Sequence, residues 1–98
     1  RAVLSDVRGL DELKIESAVV RERSPALGRS LVSLELRSAT GALVVGVRRV
    51  DRLLQDPDPT ASFELGDVVY FVGTSEAVHR ALPLFDPERA SSIPTGVA

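Results

Sequence analysis

Five consecutive apolar residues, Val68-Val69-Tyr70-Phe71-Val72, stand between Gly66-Asp67 and Gly73. β-branched and aromatic side chains favour extended backbone, so the run reads as a strand. It is far too short to cross a bilayer, which takes about 20 residues. Side chains alternate between the two faces of a strand, so this one is apolar on both and needs cover on both. It therefore belongs at the centre of a sheet, or between the sheet and a partner. The chain has 98 residues, enough for one domain with a modest core.

The flanking sequence supplies the other elements. Residues 14–23 read as a first strand, with Ile15, Ser17 and Val19 on one face and Ala18 and Val20 on the other. Ser24-Pro25 stops it, because proline cannot donate to a ladder. Gly28 permits a sharp turn, and Ser30 is an N-cap for a short helix ending near Glu35, with Leu31 and Leu34 on one side. Gly41 suits a left-handed position after that helix. Residues 42–49 form a second strand, Val50-Asp51 a turn, and Leu53-Leu54 the centre of a short third strand that Pro57-Asp58-Pro59 ends. After the strand at 68–72, Thr74 or Ser75 caps a final helix. Val78, Leu82 and Phe85 face the core there, and Pro83 closes or kinks it. The order strand, helix, strand, strand, strand, helix is that of an α+β domain. Residues 1–13 are read as a lead-in or linker, 14–85 as the domain and 86–98 as a mobile tail.

Several function classes fall away. The net charge is −2 with both signs interspersed, and Arg48-Arg49 is the longest basic run, so no nucleic-acid partner is expected. There is no cysteine, which excludes disulfides and thiolate chemistry and suits a cytoplasmic protein. No signal peptide is visible. The chain starts at Arg1 and contains no methionine, so it reads as a segment of a longer protein or a processed chain. His79, the single histidine, falls on the last helix as a surface residue, and nothing at triad spacing accompanies it. Asp56, Asp58, Glu64 and Asp67 cluster around turns and read as turn formers rather than metal ligands. The glycines make neither a dinucleotide fingerprint nor a Walker loop. No enzyme is expected, and no metal.

Ordered pieces of the chain carry a resemblance: Ser24-Pro25-Ala26-Leu27-Gly28-Arg29-Ser30-Leu31, Leu34-Glu35-Leu36-Arg37, the stretch from Thr40 to Arg49, Pro57-Asp58-Pro59, and the stretch from Gly66 to Thr74. Together, over roughly 14–85, they resemble the C-terminal subdomain of the regulator-of-potassium-conductance proteins, the TrkA C-terminal domain. The resemblance implies a small β-α-β-β-β-α domain that forms a homodimer and binds a small ligand at the dimer interface. It implies a cytoplasmic place at the inner face of the membrane, in or on a potassium channel or transporter or a cation/proton antiporter. Several members bind cyclic di-AMP, which makes that nucleotide the candidate ligand here, with no cofactor besides. Their ligand pattern falls on Leu31 and Val32, on Glu35 as the acid, on Arg37, and on Val44 and Val45. Leu43 occupies the position of an asparagine, and Pro59 completes the candidate set. An arginine clamps phosphate through paired charge-assisted bonds, and the aliphatic residues pack on adenine. The family also admits two other readings, a dimerisation module that has lost its ligand and the effector domain of a transcription regulator.

Overall fold

The structure, a computed structural model, describes residues 13–92. Four strands form one antiparallel sheet: β1 (Leu13–Val19), β2 (Leu43–Arg49), β3 (Arg52–Gln55) and β4 (Val68–Thr74). Their order across the sheet is β1-β4-β2-β3. The doubly apolar run is thus a central strand, as its composition predicts. Ala18 and Val47 stand opposite Val69 from the two sides, and Ile15 and Leu43 stand opposite Val72. The β2–β4 register shifts between Val44 and Gly46. This bulge puts an extra residue into β2, so Val44 and Val47 both reach the core while Val45 is turned outward.

Four helices complete the described chain: α1 (Leu31–Leu34), α2 (Leu36–Thr40), α3 (Ser75–Phe85) and α4 (Pro87–Ser92). The Thr74 hydroxyl caps α3 by accepting the Ala77 N–H at 3.1 Å. Helix α3 buries Ala77, Val78, Ala81, Leu82 and Phe85 in one core with Ala18, Val20, Val44, Val47, Val69 and Phe71. Phe85 sits at its centre, edge-on to Phe63 at 5.5 Å and stacked on Phe71 at 5.4 Å between ring centroids. Gly73 stands where β4 hands over tightly to α3: a Cβ there would lie 3.0 Å from the Cβ of Ala77, so a side chain fits only if that neighbour gives way.

Four details differ from the sequence reading. The first strand ends at Val19 rather than near Arg23, because the chain already turns at Arg21–Ser24. The Ser24 hydroxyl accepts the Arg21 N–H at 2.7 Å and donates to the carbonyl of Phe85. The helix after Ser30 does not finish at Glu35: it breaks there and resumes as α2. Pro83 does not close α3, which runs two residues further and ends with the Asp86 N–H bonded to the Leu82 carbonyl. Within the span read as a tail, Asp86 is buried, and its carboxylate accepts the Arg89 N–H at 3.2 Å at the start of α4. The Arg89 guanidinium bonds the Glu16 carboxylate and the Ser17 carbonyl, tying α4 to β1. The lead-in up to residue 12 and the end of the chain from 93 lie outside the described residues.

The loop from β3 to β4 is fastened by Arg49, which pairs with Asp67 and, at 3.3 Å, with Glu64. Asp67 is 1% exposed. Arg49 donates to its two carboxylate oxygens at 2.9 and 2.8 Å, and the Glu64 N–H adds a third bond at 2.9 Å. The bond to Asp67 raises the Arg49 pKa further above its already high value. On the far side of the sheet Val68, Tyr70 and Val72 stay half-buried, and Ile15 is 74% exposed. The described residues therefore close only one face of β4.

Candidate functional site

The site begins with a break in a helix. Ser30 and Ser33 exchange side-chain-to-backbone bonds in a capping box that starts α1. One turn later Glu35 adopts φ 50° and ψ 42°, a left-handed conformation, and serves at once as the end of α1 and the start of α2. Its N–H bonds the carbonyls of Leu31 and Val32, both at 3.1 Å, and its carbonyl accepts the Ala39 N–H at 2.8 Å. Helix α2 then ends at Gly41, which at φ 88° is the expected left-handed glycine. The Thr40 hydroxyl donates to the Leu36 carbonyl and accepts the Ala42 N–H, fixing the step into β2.

The bend leaves a groove of about 590 Å3, open on one side, lined by Leu31, Val32, Glu35, Leu36, Arg37, Ser38, Ala42, Leu43 and Pro59. Pro59 closes the near wall, where its carbonyl accepts the Val32 N–H at 3.0 Å. The loop carrying it is held in turn by Phe63, which exchanges backbone bonds with Gly28 and Arg29 at 2.9 and 2.8 Å. Beside Pro59, the Thr60 N–H and hydroxyl hold the Asp58 carboxyl below the usual carboxylate range. The walls are aliphatic, and the Glu35 carboxylate and Arg37 guanidinium are the charges in them. Among the described residues the Arg37 side chain has neither an ion pair nor a hydrogen bond, and it is exposed. The groove can take a ligand with flat apolar parts and an anionic group for the guanidinium.

Six of the eight candidates from the sequence meet here: Leu31, Val32, Glu35, Arg37, Leu43 and Pro59. Val44 instead faces the core, and Val45 lines a separate depression on the outer sheet face with Ile15 and Tyr70. Ordinary strand alternation after Leu43 turns Val44 inward, away from the groove. Sequence reasoning missed Leu36, Ser38 and Ala42, because the resemblance that supplied the candidates does not include these positions. Gly41 after Thr40 was the available signal for a later helix end. His79 is exposed, as expected. Among the described residues no group of His, Asp and Glu is placed to hold a metal ion, and no helix is long and apolar enough to cross a membrane.

One antiparallel sheet with its main helix on one face, and a groove at a helix break beside the second strand, define a class of small α+β domain. The TrkA-C domain model matches residues 15–86, and the chain belongs to that family. Among curated relatives, the chain is 29% identical over 69 residues to the ammonium/H(+) antiporter subunit AmhM of Alkalihalophilus pseudofirmus, a match covering 70% of this chain and 41% of that protein. It is 30% identical over 66 residues to probable potassium channel protein 2 of Methanocaldococcus jannaschii, covering 67% of this chain and 19% of that one. The chain thus spans less than half the length of these relatives. Among solved structures, the RCK_C domain dimer of S. agalactiae BusR in complex with c-di-AMP is 28% identical, with a TM-score of 0.68 over 80% of this chain and 96% of that one. BusR in complex with its busAB-promotor DNA is matched at 27% identity and a TM-score of 0.68, over 90% of this chain and 47% of that one.

Proposed function

We propose that this chain is the ligand-sensing regulatory domain of a prokaryotic potassium channel or transporter or cation/proton antiporter, on the cytoplasmic side of the membrane. It works as a homodimer and takes cyclic di-AMP in the groove between α1, α2 and β2. The observation that carries this reading is Arg37. It is an exposed guanidinium without a partner among the described residues, set in an aliphatic groove. Its role is to clamp a phosphate, while Leu31, Val32 and Pro59 pack on a base. Support comes from the BusR domain, whose dimer is solved with the same nucleotide. A ligand of this kind biases two arrangements of a dimer only through its differential affinity for them.

The test is calorimetric titration of the chain with cyclic di-AMP, with ATP and NADH as comparators. Saturable heat is expected from cyclic di-AMP, one molecule per dimer. Arg37→Ala should lose that heat while keeping its thermal transition, because the side chain is exposed and holds nothing else in place. Binding that survives Arg37→Ala unchanged would remove the groove from consideration. A second reading, the effector domain of a transcription regulator, is favoured by the likeness to BusR. A winged helix encoded upstream of this segment would select it, and apolar runs of about 20 residues would select the transporter.

A further inference from the structure

Glu35 is an unexpected residue for a left-handed backbone, which outside glycine is held mainly by asparagine and aspartate. Residues in sparsely populated conformations cluster where a site needs a fixed geometry. Of the three non-glycine residues at positive φ among the described residues, Glu35, Val50 and Asp56, Glu35 is the one that joins the two helices walling the groove: Leu31 and Val32 precede it, Leu36, Arg37 and Ser38 follow it. An unbroken helix from Leu31 to Thr40 would present a convex surface and carry Arg37 around to another side. The break is also held from outside the joint. In an unbroken helix the Ser33 carbonyl would accept the Arg37 N–H; here it accepts the Arg29 guanidinium at 2.7 Å. Two independent features, a left-handed residue and a substitute donor, thus keep the same turn from closing.

We propose that Glu35 is the positioning residue of the groove, acting through its backbone: the left-handed joint, propped open by Arg29, sets Arg37 against Leu31 and Val32. This rests on the reading of the groove as an anion-binding site, and it separates the backbone of Glu35 from its carboxylate. The test compares four variants of the chain. Glu35→Gln removes the charge and keeps the strain. Glu35→Gly and Glu35→Asn remove the charge and relieve the strain. Glu35→Val opposes the left-handed turn, because β-branched residues adopt it least. Melting temperature should rise by a few degrees in Glu35→Gly, and should fall below that of Glu35→Gln in Glu35→Val. Cyclic di-AMP affinity should be similar in Gln, Gly and Asn and at least tenfold weaker in Val. Arg29→Ala should weaken binding several-fold, although Arg29 lies outside the groove lining. A Glu35→Gly variant that melts below the parent chain, or a Glu35→Val variant that binds as Glu35→Gln does, overturns the proposal. If Glu35→Val does not fold, Arg29→Ala and the Gly–Gln comparison still decide. A parent chain that binds no cyclic di-AMP refutes the functional reading instead, and the order of melting temperatures then tests the joint alone.

Discussion

Arg49 reaches from the end of β2 to a carboxylate that has left water altogether. Asp67 has three short charge-assisted bonds to replace its hydration, two from Arg49 and one from the Glu64 N–H. The Arg49 side chain remains 31% exposed, so the two partners are not equivalent. Removing the arginine strands a buried charge and should cost about 3 kcal/mol, in the range for breaking a buried pair. Urea denaturation of Arg49→Ala measures this, and a loss under about 1 kcal/mol would mean the carboxylate finds other partners. Arg49→Lys should recover only part, since an ammonium cannot bond both oxygens in parallel. The raised Arg49 pKa confines any pH dependence of this pair from the arginine side to strongly alkaline solution. Its contribution is complete below the ordinary arginine pKa and is lost only as pH rises through the still higher folded one. None of this was legible locally. Asp67 reads as a turn residue after Gly66 and Arg49 as half of a basic pair, and only folding brings them together across 18 residues.

At the scale of the element, the strands were the most legible part of the chain. Alternation and β-branching marked β2 and β4 within a residue or two. Helix ends were less so. The segment 31–40 carries good capping signals at Ser30 and Gly41, but no sequence rule puts a glutamate in a left-handed turn between them. Pro83 shows the same limit from the other side. Proline lacks an N–H and crowds the preceding turn, yet α3 continues through it. The end of that helix is fixed by packing: Phe85 is buried, the Phe85 carbonyl accepts the Ser24 hydroxyl, and the Leu84 carbonyl accepts the Ala26 N–H at 3.0 Å. Because Pro83 is exposed, Pro83→Ala should restore a backbone bond to His79 without disturbing the core. A gain of about 1 kcal/mol, below the full helix-interior cost because alanine also frees the unfolded chain, should raise the melting temperature by about 4–8 °C. A lower melting temperature would show that the proline ring is itself part of the packing.

For the whole molecule, the open sheet face and the groove meet at Leu43. Its side chain is 49% exposed, stands opposite Val72 on the outer face, and lines the groove beside Arg37. It occupies the place where the family pattern has asparagine. Leu43→Asn should tighten cyclic di-AMP binding by about tenfold or less, the worth of one added hydrogen bond, as read by titration. Looser binding would mean that Leu43 packs on the ligand. In the same reading the chain should scatter light as a dimer at micromolar concentration, and a monomer there would argue against a site shared between two copies. The sequence by itself determined the strand order along the chain, the need of Val68–Val72 for cover on both faces and the α+β class, each of which depends on periodicity and turn chemistry between near neighbours. The candidate groove residues came instead from the family resemblance. Only the tertiary structure decided the break at Glu35, the inward turn of Val44, the Arg49–Asp67 pair and the buried Asp86. The last three rest on contacts between distant segments, where packing and desolvation outweigh the local preference of a residue; the break at Glu35 is held by bonds among residues 29–39 that no residue preference signals.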